Sequence, residues 1–172
     1  MQKIILVGYM AVGKTTIGEL LSEKIQVKLI DLDKLIENET NLSISNIFEQ
    51  KGEIYFRKIE HKIFKESVES NKNLIISTGG GTPCYANNHL LLNRENVVSI
   101  YLKASIDVIF DRLKSEKKER PLVANQSDEE LKEFIAKHLF ERSYFYNQAT
   151  FTVTVNNKSP EVITEEIIRL LN

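Results

Sequence analysis

Cysteine is nearly absent from this chain. Cys84 stands alone, so no internal disulfide can form, and with no other sign of an oxidising compartment a reducing cytoplasm is the expected setting. Neither sign of charge dominates: 23 basic and 24 acidic side chains leave a net charge of -1. That balance lacks the basic excess that affinity for a phosphate backbone normally needs, so no nucleic-acid partner is expected. Long apolar runs are missing as well. Behind Lys3 the stretch Ile4-Ile5-Leu6-Val7 ends at Gly8, and Lys14 soon follows. This is too short for a secretory leader or a membrane span, so the mature chain is read as starting at residue 1, soluble and without a membrane partner. His61, His89 and His138 form no zinc spacing with the one cysteine. No repeat, low-complexity tract or interdomain linker appears, and no exposed apolar repeat compels assembly, so a monomer is expected. A chain of 172 residues fits one domain. It can bury about 70% of its unfolded surface without a staple.

What is present is an alternation of short apolar runs with longer segments of helical period. Buried strands are predicted over residues 3–7, 27–30, 73–76 and 97–102, and a fifth, richer in threonine and more alternating, over 149–155. Apolar stripes at helix spacing run through Ile17, Leu20, Leu21 and Ile25, through Leu131, Phe134, Ile135 and Leu139, and through Ile163, Ile167, Leu170 and Leu171. Strand and helix in turn call for a mostly parallel sheet with crossover helices, an α/β fold. Two stretches break the rhythm. Residues 34–71 lack a strand and read as an insertion of two or three helices punctuated at Gly52, and residues 114–127, poor in apolar side chains and carrying Arg120-Pro121, read as a mobile loop.

The most specific motif is Gly8-Tyr9-Met10-Ala11-Val12-Gly13-Lys14-Thr15, which matches G-x-x-x-x-G-K-[ST] between the first strand and the first helix. In such a loop the amides and the helix N-terminus face a polyphosphate, the lysine reaches the β and γ phosphates, and the threonine hydroxyl holds Mg²⁺. The motif speaks for a nucleotide and leaves the phosphoryl acceptor to other residues.

Several of those stand at predicted strand ends. Asp31 and Asp33 close the second strand, and a side-chain period of two would aim both carboxylates from the edge where open α/β sheets bind ligands. One could anchor Mg²⁺ through water while the other positions a substrate hydroxyl; helix capping before Lys34-Leu35-Ile36 is the competing role. Ser77-Thr78-Gly79-Gly80-Gly81-Thr82 follows the third strand and is either a close-approach surface for a ligand or a flexible turn. Arg57 and Glu60 are helix neighbours in Phe56-Arg57-Lys58-Ile59-Glu60. They form either a surface ion pair or a carboxylate receptor held by its partner, and Arg142 carries the same ambiguity. Residues 111–120 hold five basic and three acidic side chains, which suits a solvated loop or an arginine-bearing lid. Cys84 has no assigned base and is read as inert, and His138, near its helix's apolar stripe, as packed and hydrogen-bonded.

Taken together, residues 8–16, Asp31-Leu32-Asp33, Phe56-Arg57-Lys58-Ile59-Glu60, Ser77 to Gly81, Arg120-Pro121-Leu122 and Glu141-Arg142 with Tyr144 and Tyr146 resemble the shikimate kinase family, in order along nearly the whole chain. The resemblance implies a three-layer α/β/α fold whose five-stranded parallel sheet has the order 2-3-1-4-5. It implies one kinase domain over 1–172, with 34–71 as substrate-binding insertion and 114–127 as lid. The implied reaction moves the γ-phosphoryl group of ATP to the 3-hydroxyl of shikimate, with Mg²⁺, on the route to chorismate and the aromatic amino acids. Catalytic roles fall to Lys14, Asp33 and Arg120. Nucleotide contacts fall to Ala11, Val12, Gly13, Lys14, Thr15, Thr16, Arg112, Arg120 and, in the late loop where the family usually has an arginine, Asn157 or Lys158. Shikimate contacts fall to Asp33, Arg57, Gly79, Gly80, Gly81 and Arg142, and Mg²⁺ to Thr15 and, through water, Asp31. Ala11 departs from the pattern, since many family members have glycine there. Two other readings compete: a related small-molecule kinase acting on gluconate or a nucleoside monophosphate, and a nucleotide-binding switch without phosphoryl transfer.

Overall fold

The protein is described here by a computed structural model covering residues 2–115 and 127–172. Five strands, β1 (Lys3–Val7), β2 (Lys28–Asp31), β3 (Leu74–Ser77), β4 (Val97–Lys103) and β5 (Phe151–Thr154), pair in parallel in the order β2-β3-β1-β4-β5. Helices α1 (Lys14–Ile25), α2 (Leu32–Thr40), α3 (Ile44–Lys51), α4 (Glu53–Glu69), α5 (Ile106–Ser115), α6 (Asp128–Tyr146) and α7 (Pro160–Leu171) flank it. The α/β class and the strand order are those expected.

Strand position follows from side-chain character. β1 lies at the centre, and every one of its residues is buried, Lys3 included. Burial lowers the pKa of Lys3, whose ammonium donates to the carbonyls of Ser70 and Lys72 at the end of α4. An apolar run covered on both faces is what a central parallel strand needs. β5, at one edge, alternates instead: Val153 is buried while Thr152 and Thr154 are exposed.

Boundaries differ from expectation in ways that have causes. β2 and β3 each run one residue later than predicted, and β5 is shorter, because the Thr150 hydroxyl and amide bond to Ser99 ahead of the strand. The strandless stretch holds three helices, α3 and α4 being separated at Gly52 with φ 81°. The first of the three starts earlier than predicted, at Leu32, because the Asp31 carboxylate accepts from the Lys34 amide and caps α2. Asp33 therefore sits in the first turn of a helix and not on the strand, so the period-two account of how the two carboxylates share a side is wrong. The capping role belongs to Asp31, not to Asp33. A reciprocal cap between Ser127 and Glu130 begins α6. Among the described residues no helix is long and apolar enough to cross a membrane.

Candidate active site

The loop between β1 and α1 is held by backbone constraints. Gly8 has φ 147°, and a Cβ there would lie 2.7 Å from the Leu102 carbonyl oxygen on β4. Gly13, at φ 98°, precedes the first turn of α1. Ala11 adopts φ 60°, a left-handed conformation that a Cβ makes costly. The Lys14 ammonium donates to the carbonyls of Gly8 at 2.9 Å and Tyr9 at 2.8 Å, and so lies over the loop. Arg112, on α5, donates to the Ala11 carbonyl at 3.0 Å, which places its guanidinium against the loop. Asn157 is exposed in the turn between β5 and α7, with φ 55°.

A cavity of about 330 Å³ opens beside this loop, lined by Lys14, Thr15, Thr16, Asp31, Asp33 and Gly79, among others. Helix α2 brings Asp31 and Asp33 there together. One oxygen of Asp31 caps the helix, while the other accepts from the Thr15 hydroxyl at 3.4 Å. Asp31 thus caps and faces the cavity at once. Burial, reinforced by the neighbouring Asp31 and Glu60 carboxylates and opposed by Lys14, pushes Asp33 up to about 6. Another concavity of similar size, about 340 Å³ beside β2, includes Lys28, Glu39, Glu66 and Lys72 but none of the phosphate-loop residues.

The glycine run lies between two guanidinium groups. A Cβ on Gly81 would meet Arg57 Nη2 at 2.9 Å, and one on Gly80 would meet Arg142 Nη1 at 3.4 Å. Arg57 donates to Glu60 at 2.8 Å and lies over the Tyr85 ring at 3.9 Å. Glu60 is only 1% exposed, and its other oxygen accepts from the Thr82 hydroxyl at 2.7 Å. A buried, doubly bonded carboxylate fixes a guanidinium far more firmly than an exposed partner does. The Arg57–Glu60 pair is thus a largely buried, held pair and not a surface one. The Tyr146 hydroxyl donates to the Gly80 carbonyl at 2.5 Å.

The shikimate kinase family model matches residues 10–172. The chain belongs to the shikimate kinase family. A shikimate kinase of Flavobacterium johnsoniae is 56% identical over 171 residues, 99% of each chain. Among solved structures, the crystal structure of shikimate kinase from Bacteroides thetaiotaomicron aligns with a TM-score of 0.91 at 35% identity, covering 99% of this chain and 98% of that one. The Acinetobacter baumannii shikimate kinase, solved in complex with shikimate, aligns at 0.87 and 30% identity over 99% and 93%. Membership of the shikimate kinase family makes the chain an ATP-dependent phosphotransferase, and sets aside both the gluconate or nucleoside monophosphate alternative and the switch without transfer.

Of the residues assigned from the resemblance to shikimate kinase, the cavity and its wall bring together Ala11, Gly13, Lys14, Thr15, Thr16, Asp31, Asp33, Gly79 and Gly80. Val12 is buried beneath the loop. Arg57, Gly81 and Arg142 adjoin the cavity's glycine wall, whereas Arg120 lies outside the described residues. Thr82, Tyr85 and Tyr9 had no assigned role. Only the adjacency of Thr82 and Tyr85 to the glycine run, and of Tyr9 to Gly8, could have drawn attention to them. Cys84 lies near Arg57 and Arg142, yet burial pushes its thiol up to about 11, in keeping with an inert side chain. Among the described residues no group of three or more His, Cys, Asp or Glu side chains could hold a metal ion. Mg²⁺ is commonly held by one or two protein groups together with substrate phosphates, and the Thr15 hydroxyl beside the Asp31 carboxylate fits that demand.

Proposed function

We propose that this shikimate kinase family member transfers the γ-phosphoryl group of ATP to the 3-hydroxyl of shikimate, giving shikimate 3-phosphate and ADP, on the route to chorismate and the aromatic amino acids. The observation that carries the reading is that Asp33 and Gly79 line one cavity with Lys14 and Thr15. Phosphate receptors and hydroxyl acceptors thus adjoin, and two guanidinium groups stand behind the glycine wall.

In this reading the loop amides of residues 11–16 and the N-terminus of α1 receive the phosphates, and Lys14 leaves the carbonyls of Gly8 and Tyr9 for the β and γ oxygens. Thr15, and Asp31 through water, would hold Mg²⁺, which when bound neutralises charge on the β and γ phosphates. Arg112 and Asn157 flank the nucleotide. Arg57 and Arg142 take the shikimate carboxylate by paired donors, and residues 79–81 meet its ring. Asp33 accepts a hydrogen bond from the attacking hydroxyl and, largely ionised at neutral pH with a pKa of about 6, can take its proton. A loose transition state asks chiefly for alignment and charge neutralisation, so Lys14 and Arg120 outweigh proton removal. Residues 34–71 serve as the acceptor-binding insertion, and the lid expected over 114–127 lies for the most part outside the described residues. The near-neutral charge and single cysteine support a cytoplasmic enzyme without a nucleic-acid partner, and we read it as a monomer.

The test is ADP release coupled to a reporter, with shikimate, gluconate and a nucleoside monophosphate compared at equal concentration. Turnover with shikimate alone is expected. Turnover with either competitor and none with shikimate would overturn the acceptor assignment.

A further inference from the structure

Arg57 is aimed by the buried carboxylate of Glu60, but Arg142 is not held in that way. Among the described residues no ion pair involves Arg142. Its guanidinium lies beside the Tyr146 hydroxyl, which donates to Gly80, and over the ring of Tyr9, 5.4 Å from the centroid. Tyr9 is 1% exposed, and its hydroxyl shares a hydrogen bond of 3.1 Å with Nδ1 of His138. His138 is fixed in turn against Phe134, ring centroids 4.1 Å apart. His138 and Arg142 are four residues apart on α6, so one face of that helix presents both groups to one tyrosine. The same tyrosine's carbonyl accepts from Lys14 at 2.8 Å.

We propose that Tyr9 is a positioning residue for the acceptor's carboxylate: its ring, tied through the hydroxyl to His138, sets together with Tyr146 where Arg142 points, and so registers α6 against the phosphate loop. The inference rests on the reading above in which Arg142 binds that carboxylate. Physically, a guanidinium without an anionic partner is attracted to the negative face of an aromatic ring; the hydroxyl tie fixes the axis of the Tyr9 ring, and its burial fixes the plane. Burial pushes the Tyr9 hydroxyl up to about 12 and lowers His138, so both stay uncharged near neutral pH and the tie persists.

The experiment is a kinetic double-mutant cycle on the full chain with ATP, Mg²⁺ and shikimate. Tyr9→Leu, which removes the face, should raise the shikimate KM about tenfold and change the ATP KM much less. Tyr9→Phe and His138→Ala, which release the tie and keep the face, should each raise it about threefold, and together no more than either alone. In an Arg142→Ala background the Tyr9→Leu effect should vanish. A merely structural role would lower thermal stability and leave the effect intact in that background. Should Tyr9→Leu not fold, Tyr9→Phe and His138→Ala carry the test, and an unchanged shikimate KM in both overturns the proposal. If Arg142→Ala alone leaves that KM unchanged, the carboxylate assignment itself fails. If Arg142→Ala raises it and Tyr9 variants add independently, only the role of Tyr9 fails.

Discussion

The Cβ that Gly81 lacks would stand 2.9 Å from Nη2 of Arg57. Gly81 has φ -94° and ψ -14°, a conformation alanine adopts without strain, so the glycine is required by the neighbour and not by the backbone. Gly81→Ala should therefore fold and displace the guanidinium. Its shikimate KM should rise about tenfold, with the ATP KM little changed, as measured by steady-state kinetics. Unaltered shikimate saturation would mean that Arg57 does not bind the acceptor.

Ala11 presents the opposite case. At φ 60° it occupies a region that costs alanine about 1 kcal/mol relative to glycine. Ala11→Gly should stabilise the protein by about 0.5 kcal/mol, a rise in Tm of about 1–2 °C, because relief of strain slightly outweighs the added freedom of the unfolded chain. Thermal unfolding by circular dichroism checks this, and a lowered Tm would contradict it.

Asp33 gives a pH dependence whose sign can be worked out. Its carboxyl moves from 3.8 to about 6 on folding, through burial first and then Asp31 and Glu60. Between those values the folded protein keeps a proton that the unfolded chain has released. Stability is thus greatest below the lower value and declines as pH rises through about 6, by about 3 kcal/mol in all. In magnesium-free buffer, Asp33→Asn should remove this decline and be more stable than wild type at pH 8, while losing most activity. Wild-type kcat/KM should rise with pH through a midpoint near 6. Parallel stability curves for the two proteins would show that Asp33 is not the buried acid described.

Lys14 and Arg57 should separate kinetically. Lys14→Ala removes a cation that neutralises charge on the transferring group and should lower kcat by about 10²-fold or more. Arg57→Ala removes ground-state anchoring, and in addition leaves the buried Glu60 with only Thr82 as partner, so it should chiefly raise the shikimate KM and also lower Tm. Equal effects of both variants on kcat would contradict this division.

Much of the fold was readable because parallel strands buried on both faces appear as short apolar runs, and β1 and β4 stand where those runs predicted. The phosphate loop and the Arg57–Glu60 pair were readable because their spacing is local. Asp33 was misplaced onto a strand because the stop signal was a side chain of the strand itself, Asp31 folding back onto the Lys34 amide. Contacts between distant residues were not readable at all. Thr82 reaches Glu60 across 22 positions and Tyr9 reaches His138 across 129, and no periodicity in a sequence encodes which distant partner a crossover will deliver.

The transfer itself can be watched by ³¹P NMR of the protein with ATP, Mg²⁺ and shikimate. A new phosphomonoester resonance coupled to the proton at C3 of the shikimate ring should grow in step with ADP. ADP accompanied only by inorganic phosphate, or a phosphate ester at another ring position, would contradict it.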